Sequence, residues 1–272
     1  MMYLTRHLTA HGPRWAADGH FLPEGLDLSF LLKLSESGIR RVIETCSMDE
    51  AAAGELLPPV ESSQEVWAAG VTYLRSREAR MAESETKDIY EKVYDADRVE
   101  VFFKGAGWRI RGMGQPIRVR TDSQWNVPEP ELAIVVNASG DIVGYTVGND
   151  VSSRDIEGAN PLYLPQAKIY DGSCAIGPGI VIDGPQAQRD LPIHMTIERA
   201  GGVVYEGETN TSQLKRSVED IADWLMRELT FPEGVIVLTG TCLVPPDEFT
   251  LSSGDRVRIR VGDLVLDNPV GD

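Results

Sequence analysis

Cysteine is scarce in this chain: Cys46, Cys174 and Cys242 are the only three in 272 residues. Their spacing matches no metal-ligand motif. An odd, sparse set excludes a disulfide framework and fits a reducing compartment. Basic residues are also few, 26 against 42 acidic ones, for a net charge of −16. So acidic a chain lacks the basic face that nucleic acids and anionic membranes require. A small anionic substrate stays admissible, because a few local cations and a metal can hold one. No apolar run approaches the roughly 20 residues of a membrane span. The opening MMYLTRHLTAHGPRW holds no signal-peptide core, so a cytoplasmic location is expected. Histidine is rare too: His7, His11 and His20 lie near the N-terminus and His194 in an expected strand. None sits near a plausible serine or cysteine, which disfavours a nucleophile–histidine mechanism. Internal repeats, low-complexity tracts and a phosphate-cradling glycine loop are all missing.

What is present suits a sizeable core, with 42% apolar residues and length for one large domain plus a small one. Residues 1–60 read as a small N-terminal domain, with a helix within LDLSFLLKLSESGIRRVIE and a linker at Leu57-Pro58-Pro59-Val60-Glu61-Ser62-Ser63. Residues 61–272 read as the larger domain, entered through the apolar run 66–71. Residues 74–97 are charged and carry Ile89, Val93 and Ala96 at helical spacing. From residue 99 the period drops to two. Strands are expected at 99–104, 117–120, 132–136, 142–147, 179–182, 194–198, 235–240, 256–261 and 264–266. One helix interrupts them, its stripe formed by Leu214, Val218, Ile221 and Leu225. Many short strands with few helices indicate an α+β, β-rich class with a rolled or barrel-like sheet.

The stretch VPEPELAIVVNASGDIVGYTVGND, residues 127–150, carries the chemistry. Two apolar runs flank the turn residues Asn137-Ala138-Ser139-Gly140-Asp141, predicting an antiparallel hairpin centred near Ser139. Paired positions then sum to about 278, so 129 faces 149 and 131 faces 147. Glu129 and Glu131, two apart, point to one face, and Asp150 ends the second strand beside them. Pro128 and Pro130 mark a sheet edge or mouth. Three converging carboxylates suit a hard cation, Mg²⁺ first, with Mn²⁺ or Ca²⁺ as alternatives. The competing reading is three acids at a solvated strand end.

PEPELA, then GYTVGNDVSSRD, then a lysine and a small-residue GP turn, form a pattern that resembles the fumarylacetoacetate hydrolase family from about residue 65 onward. The resemblance implies a β-roll with a variable N-terminal domain, usually dimeric, and Mg²⁺ held by Glu129, Glu131 and Asp150. Arg154, Asp155, Lys168, Asn210 and Thr239-Gly240-Thr241 also match family positions. Within the family, IYEKVYDA, VFFK, NPLYLPQAKIYDGSCA and Glu157 are similar to the branch that dehydrates 2-keto-3-deoxypentonates. The C–C hydrolases of the family carry a histidine after a G-x-x-Y segment; here Ser76 stands in its place.

The resemblance therefore implies a Mg²⁺-dependent dehydratase of a 2-keto-3-deoxy sugar acid, arabinonate- or xylonate-derived, forming 2,5-dioxopentanoate. Rivals are an acylpyruvate-type C–C hydrolase or 2-oxo acid decarboxylase on the same site, and a non-catalytic sugar-acid-binding protein. A 2-oxo acid chelating the metal would gain acidic C3 protons. Lys168 is expected at the 2-oxo group or enolate, and Glu100 or Lys104 at the departing C4 hydroxyl. Glu100 and Lys104 share a strand face with Phe102, though a plain surface pair is equally open. Glu157 joins the catalytic set. Arg154, Thr241, Tyr73 and Phe103 are expected at the substrate; Arg154 and Glu157, three apart on one helical face, alternatively form only an ion pair behind the ligands. Glu78 with Arg75, Arg77 and Arg80 is expected in a lid or a solvated helix face. The expected partner is a small-molecule 2-oxo acid, with a homodimer or higher homo-oligomer as the assembly.

Overall fold

In the computed structural model the described residues are 2–46, 48–73 and 92–271. The expected helix over 74–97 and its lid residues fall almost wholly outside them; residues 92–95 form one helical turn. The chain begins with strands β1 (Met2–Thr9), β2 (Gly12–Ala17) and β3 (His20–Phe21), then helices α1 (Leu28–Leu31) and α2 (Glu36–Cys46). Strands β4 (Glu55–Leu57), β5 (Glu65–Gly70), β6 (Glu100–Ala106), β7 (Ile117–Arg118) and β8 (Asn126–Val127) follow. The central hairpin is β9 (Pro130–Val136) and β10 (Ile142–Asp150), followed by β11 (Ser152–Ser153), α3 (Arg154–Ala159) and α4 (Leu164–Lys168). The rest is β12 (Cys174–Ile182), β13 (Pro192–Arg199), β14 (Gly202–Asn210), α5 (Val218–Met226), β15 (Val235–Leu238), β16 (Arg256–Val261) and β17 (Leu264–Gly271).

A large sheet runs β3-β2-β1-β12-β10-β9-β15-β5-β6, with β4 also paired to β1. A smaller sheet, β14-β13-β16-β17-β7, packs against it, and β8 pairs with β11. Two-sided burial explains why β9 and β15 read as unbroken apolar runs. Leu132, Ile134 and Val136 point toward Met195, Ile197, Ile259 and Leu266 of the smaller sheet and Ile221 and Leu225 of α5. Ala133 and Val135 point the other way, into a cluster with Leu28, Leu31, Leu32, Ile39 and Ile43 of the N-terminal helices. Each such aliphatic side chain contributes about 1.5–3 kcal/mol on burial, so both covers matter to the hairpin between them. By contrast β16, covered on one face, alternates exposed arginine with buried aliphatic.

Several sequence expectations shift. Residues 1–60 supply four strands, β1 to β4, and β1 joins the large sheet through β12, Leu4 opposite Ile180. Their single expected helix is two, because Ser35 caps a second start: its hydroxyl accepts from the Gly38 N–H at 3.3 Å. Strand β14 was not expected from the sequence. It is an edge strand exposed along most of its length, so VVYEGETN shows no apolar alternation. Helix α5 starts at Val218, capped by Ser217 Oγ on the Asp220 N–H at 3.0 Å, which leaves Leu214 in the preceding turn. The hairpin register also differs. Ile142 pairs with Val136 as expected, but Gly144 pairs with Val135 and Gly148 with Glu131. A β-bulge at Val143 inserts one residue, raising the pair sum from 278 to 279. Ile142 and Tyr145 consequently share one core while Val143 turns into the other. Asp150 thereby comes directly opposite Glu129, whose carbonyl accepts from the Asp150 N–H at 3.0 Å.

Candidate metal centre

The hairpin mouth gathers Glu129, Glu131 and Asp150, each no more than 3% exposed. One carboxylate oxygen from each lies within 4.8 Å of the others. Backbone geometry fixes them. The Glu129 N–H donates to Asn149 Oδ1 at 3.1 Å, and the Gly240 N–H donates to Glu131 Oε2 at 2.6 Å. Gly240 has φ +90°, and a Cβ there would fall 2.0 Å from Thr72 Oγ1. Only glycine therefore brings this amide to Glu131.

Three cations neutralise the acids. Arg154, on α3, places Nη2 2.9 Å from Glu129 Oε1. Lys104, on β6, places Nζ 2.5 Å from Asp150 Oδ1 and donates to the Val151 and Lys168 carbonyls. Lys168, at the end of α4, lies 2.7 Å from Glu129 Oε2, 3.0 Å from Asp150 Oδ2 and 2.7 Å from Ser152 Oγ. Glu131 has no such direct cation contact in this set. Burial, then the charges of Asp150 and Glu129, hold its carboxyl well above the usual range.

A narrow cleft opens onto this cluster, lined by Gly70, Glu100, Phe102, Glu129, Glu131, Asp150, Glu157, Leu164, Lys168, Gly240 and Thr241, among others. Glu100, Glu157, Lys168 and Thr241, all named from the sequence, line this one cleft. Three expectations are corrected. Lys104 is fully buried behind Asp150, away from any departing hydroxyl, since its carbonyl acceptors hold it there. Phe103 projects from the opposite face of β6 and meets the Trp67 ring edge-on, centroids 5.9 Å apart; Phe102 lines the cleft instead. Tyr73 is 1% exposed and does not line the cleft; burial raises its hydroxyl pKa, with Cys242 and Glu131 adding to the shift. Arg154 pairs with Glu129, a contact that the sequence reading did not name. Asn210 caps the turn after β14 through the Ser212 N–H, and Asp155 binds Ser123 and Gln124. The histidines stay away: His7 bonds Thr5 and His194 bonds Glu206. Ser152 escaped the sequence reading, and Gly240 was named there only as a family match, without the role of its amide. Ser152 lies inside GNDVSSRD, so its closeness to Asp150 was the available signal.

An all-oxygen, buried, converging donor set fits a hard divalent cation.

A β-rich double sheet carrying such a centre defines a metal-dependent enzyme, and the chain belongs to the fumarylacetoacetate hydrolase family. The family model described as "Fumarylacetoacetate (FAA) hydrolase C-terminal" matches residues 65–270. The chain is similar to the Haloferax volcanii protein named "Probable 2-keto-3-deoxyxylonate dehydratase", 53% identical over 78% of this chain and 73% of that one. A 2-dehydro-3-deoxy-D-arabinonate dehydratase of Saccharolobus solfataricus is 45% identical over 74% of this chain and 69% of its own. A solved structure of 2-keto-3-deoxy-D-arabinonate dehydratase, complexed with magnesium and 2,5-dioxopentanoate, superposes with a TM-score of 0.79 and 34% identity, covering 100% of this chain and 99% of that one.

Two outcomes follow from the electrostatics. A carboxyl whose folded pKa is raised favours folding below its unfolded value, and that contribution is lost as pH rises through the folded one. Glu131 therefore weakens the metal-free protein on going from acid to neutral pH, and a divalent cation reverses the loss. The rise in melting temperature on adding Mg²⁺ should be larger at pH 8 than at pH 6, and smaller at both in Glu131→Gln; calorimetric melting scans check this. Lys104→Met leaves the buried Asp150 charge short of a partner, and urea unfolding without metal should show a loss of about 3–5 kcal/mol.

Proposed function

We propose that this chain is a Mg²⁺-dependent hydro-lyase that removes water from a 2-keto-3-deoxypentonate, forming 2,5-dioxopentanoate. The carrying observation is the buried three-carboxylate centre with Lys168 beside it and the acids Glu100 and Glu157 lining the same cleft. The magnesium and 2,5-dioxopentanoate held by the solved relative support this reading. Thiol chemistry is disfavoured, because burial pushes the Cys174 thiol up to about 12.

Glu129, Glu131 and Asp150 would hold the Mg²⁺. Bound there, the ion supplies Lewis acidity to the carboxylate and 2-oxo oxygens of the substrate and acidifies its C3 protons. Lys168 Nζ donates to the 2-oxo oxygen as negative charge gathers on it. Glu100 and Glu157 carry protons. One carboxylate takes a C3 proton, whose electron pair forms the C3–C4 double bond. The C4 hydroxyl leaves as water with a proton from the other carboxyl. Transfer of a proton from C5 to C3 then moves the double bond, and the resulting enol settles as the C5 aldehyde. Thr241 Oγ1 orients the substrate carboxylate, and Phe102 supplies an apolar wall. Arg154 and Lys104 position Glu129 and Asp150 without touching substrate.

The proposal extends to the setting. Residues 1–60 form an N-terminal domain seated on the sheet edge, and 61–272 the catalytic domain. The chain works in the cytoplasm, which the free cysteines support, as a homodimer or higher homo-oligomer.

Incubation with 2-keto-3-deoxypentonates and with acylpyruvates, each with Mg²⁺, tests the reaction. Mass analysis should find a product lighter than the sugar acid by one water. Efficient acylpyruvate cleavage without dehydration of any 2-keto-3-deoxy acid would transfer the assignment to a hydrolase. Sedimentation of the same preparation should show more than one chain per particle.

A further inference from the structure

The two carboxylates shared with Lys168 are held in an asymmetric way. Glu129 has Oε1 on Arg154 and Oε2 on Lys168. Asp150 has Oδ1 on Lys104 and Oδ2 on Lys168. Each acid therefore has one oxygen held by a cation behind it and the other by the same ammonium. Lys104 is locked: its side chain is fully buried, and Val151 and Lys168 carbonyls take its remaining protons. Arg154 is likewise buried, on the first turn of α3. Lys168 differs. It lines the cleft, and its Nζ lies 5.8 Å from the centre of the Phe102 ring, which lines the same cleft. The cleft that an ammonium leaving the acids would enter is also lined by Glu100 and Glu157.

We propose that Lys168 is an exchangeable internal counter-ion: its ammonium occupies Glu129 Oε2 and Asp150 Oδ2 in the metal-free protein, and a divalent cation displaces it into the cleft. Metal loading thereby arms the lysine, because the same event that fills the centre turns Nζ toward the substrate. The physical ground is competition. An ammonium and a divalent ion within hydrogen-bond reach of the same two oxygens repel one another strongly in a buried site. The two neighbouring cations stay behind and keep the acids from collapsing on each other. This inference rests on the metal reading of the centre.

Calorimetric titration of Mg²⁺ into the wild-type chain and into Lys168→Met tests it. Methionine keeps the length and removes the charge, and circular dichroism confirms the fold. The variant should bind Mg²⁺ about tenfold or more tighter, since the competing cation is gone. Equal or weaker binding in the folded variant overturns the counter-ion role alone; Mg²⁺ binding to neither protein overturns the metal reading and this inference with it. A second measurement uses only the wild type, in case the variant does not fold. Amine labelling by acetic anhydride, read by peptide mass, should be several-fold greater at Lys168 with Mg²⁺ than without. Labelling that is unchanged or reduced by Mg²⁺ overturns the displacement.

Discussion

Burying several carboxylates in one spot is the constraint on which the rest of the structure depends. Glu129, Glu131 and Asp150 sit almost without solvent, where like charges repel with little screening and each ion loses several kcal/mol of hydration. Three cations from three separate elements answer them: Lys104 from β6, Arg154 from α3 and Lys168 from α4. Bringing those elements to one point requires the turn from β10 through β11 into α3. It also requires α4 to end where its last side chain reaches the hairpin mouth. Even so, Glu131 has no direct cation contact in this set, and burial with the charges of Asp150 and Glu129 holds its carboxyl well above the usual range.

The scaffold answers a second need, rigidity. Strands β9 and β10 lie in the middle of the large sheet and are buried on both faces. Packing on both sides leaves a hairpin little freedom to slide, and a slip of one residue would exchange its two faces. Register is therefore set by the core, and the bulge at Val143 brings Asp150 opposite Glu129 within it. The N-terminal helices take part through Leu28, Leu31 and Ile39, which pack under Ala133 and Val135. Residues distant in sequence thus contribute to the precision of the centre.

Much of this was legible in the sequence, and the reasons differ from place to place. The acid triad was legible because a two-residue period and a polar turn together determine which side chains meet. The bulge was not, since one extra residue in an apolar run leaves no compositional mark. Lys104 shows another limit. Alternation along β6 gives its face, shared with Glu100 and Phe102, but not that Asp150 lies between it and the cleft. Phe103 was misassigned although that same alternation already put it on the other face. Edge strand β14 stayed hidden because exposed strands lack the apolar pattern that reveals buried ones. Cation-to-oxygen assignments, such as Arg154 on Glu129 Oε1, are tertiary facts that no local period encodes.

The most direct test of the account is a crystal structure grown with Mn²⁺, with the ion located by its anomalous scattering. The account predicts one ion among Glu129 Oε2, Glu131 and Asp150 Oδ2, at about 2.0–2.3 Å from each oxygen, with Lys168 Nζ turned to the cleft and Lys104 and Arg154 unmoved. An ion bound elsewhere, or a vacant triad at saturating Mn²⁺ with Lys168 still on both acids, would contradict it.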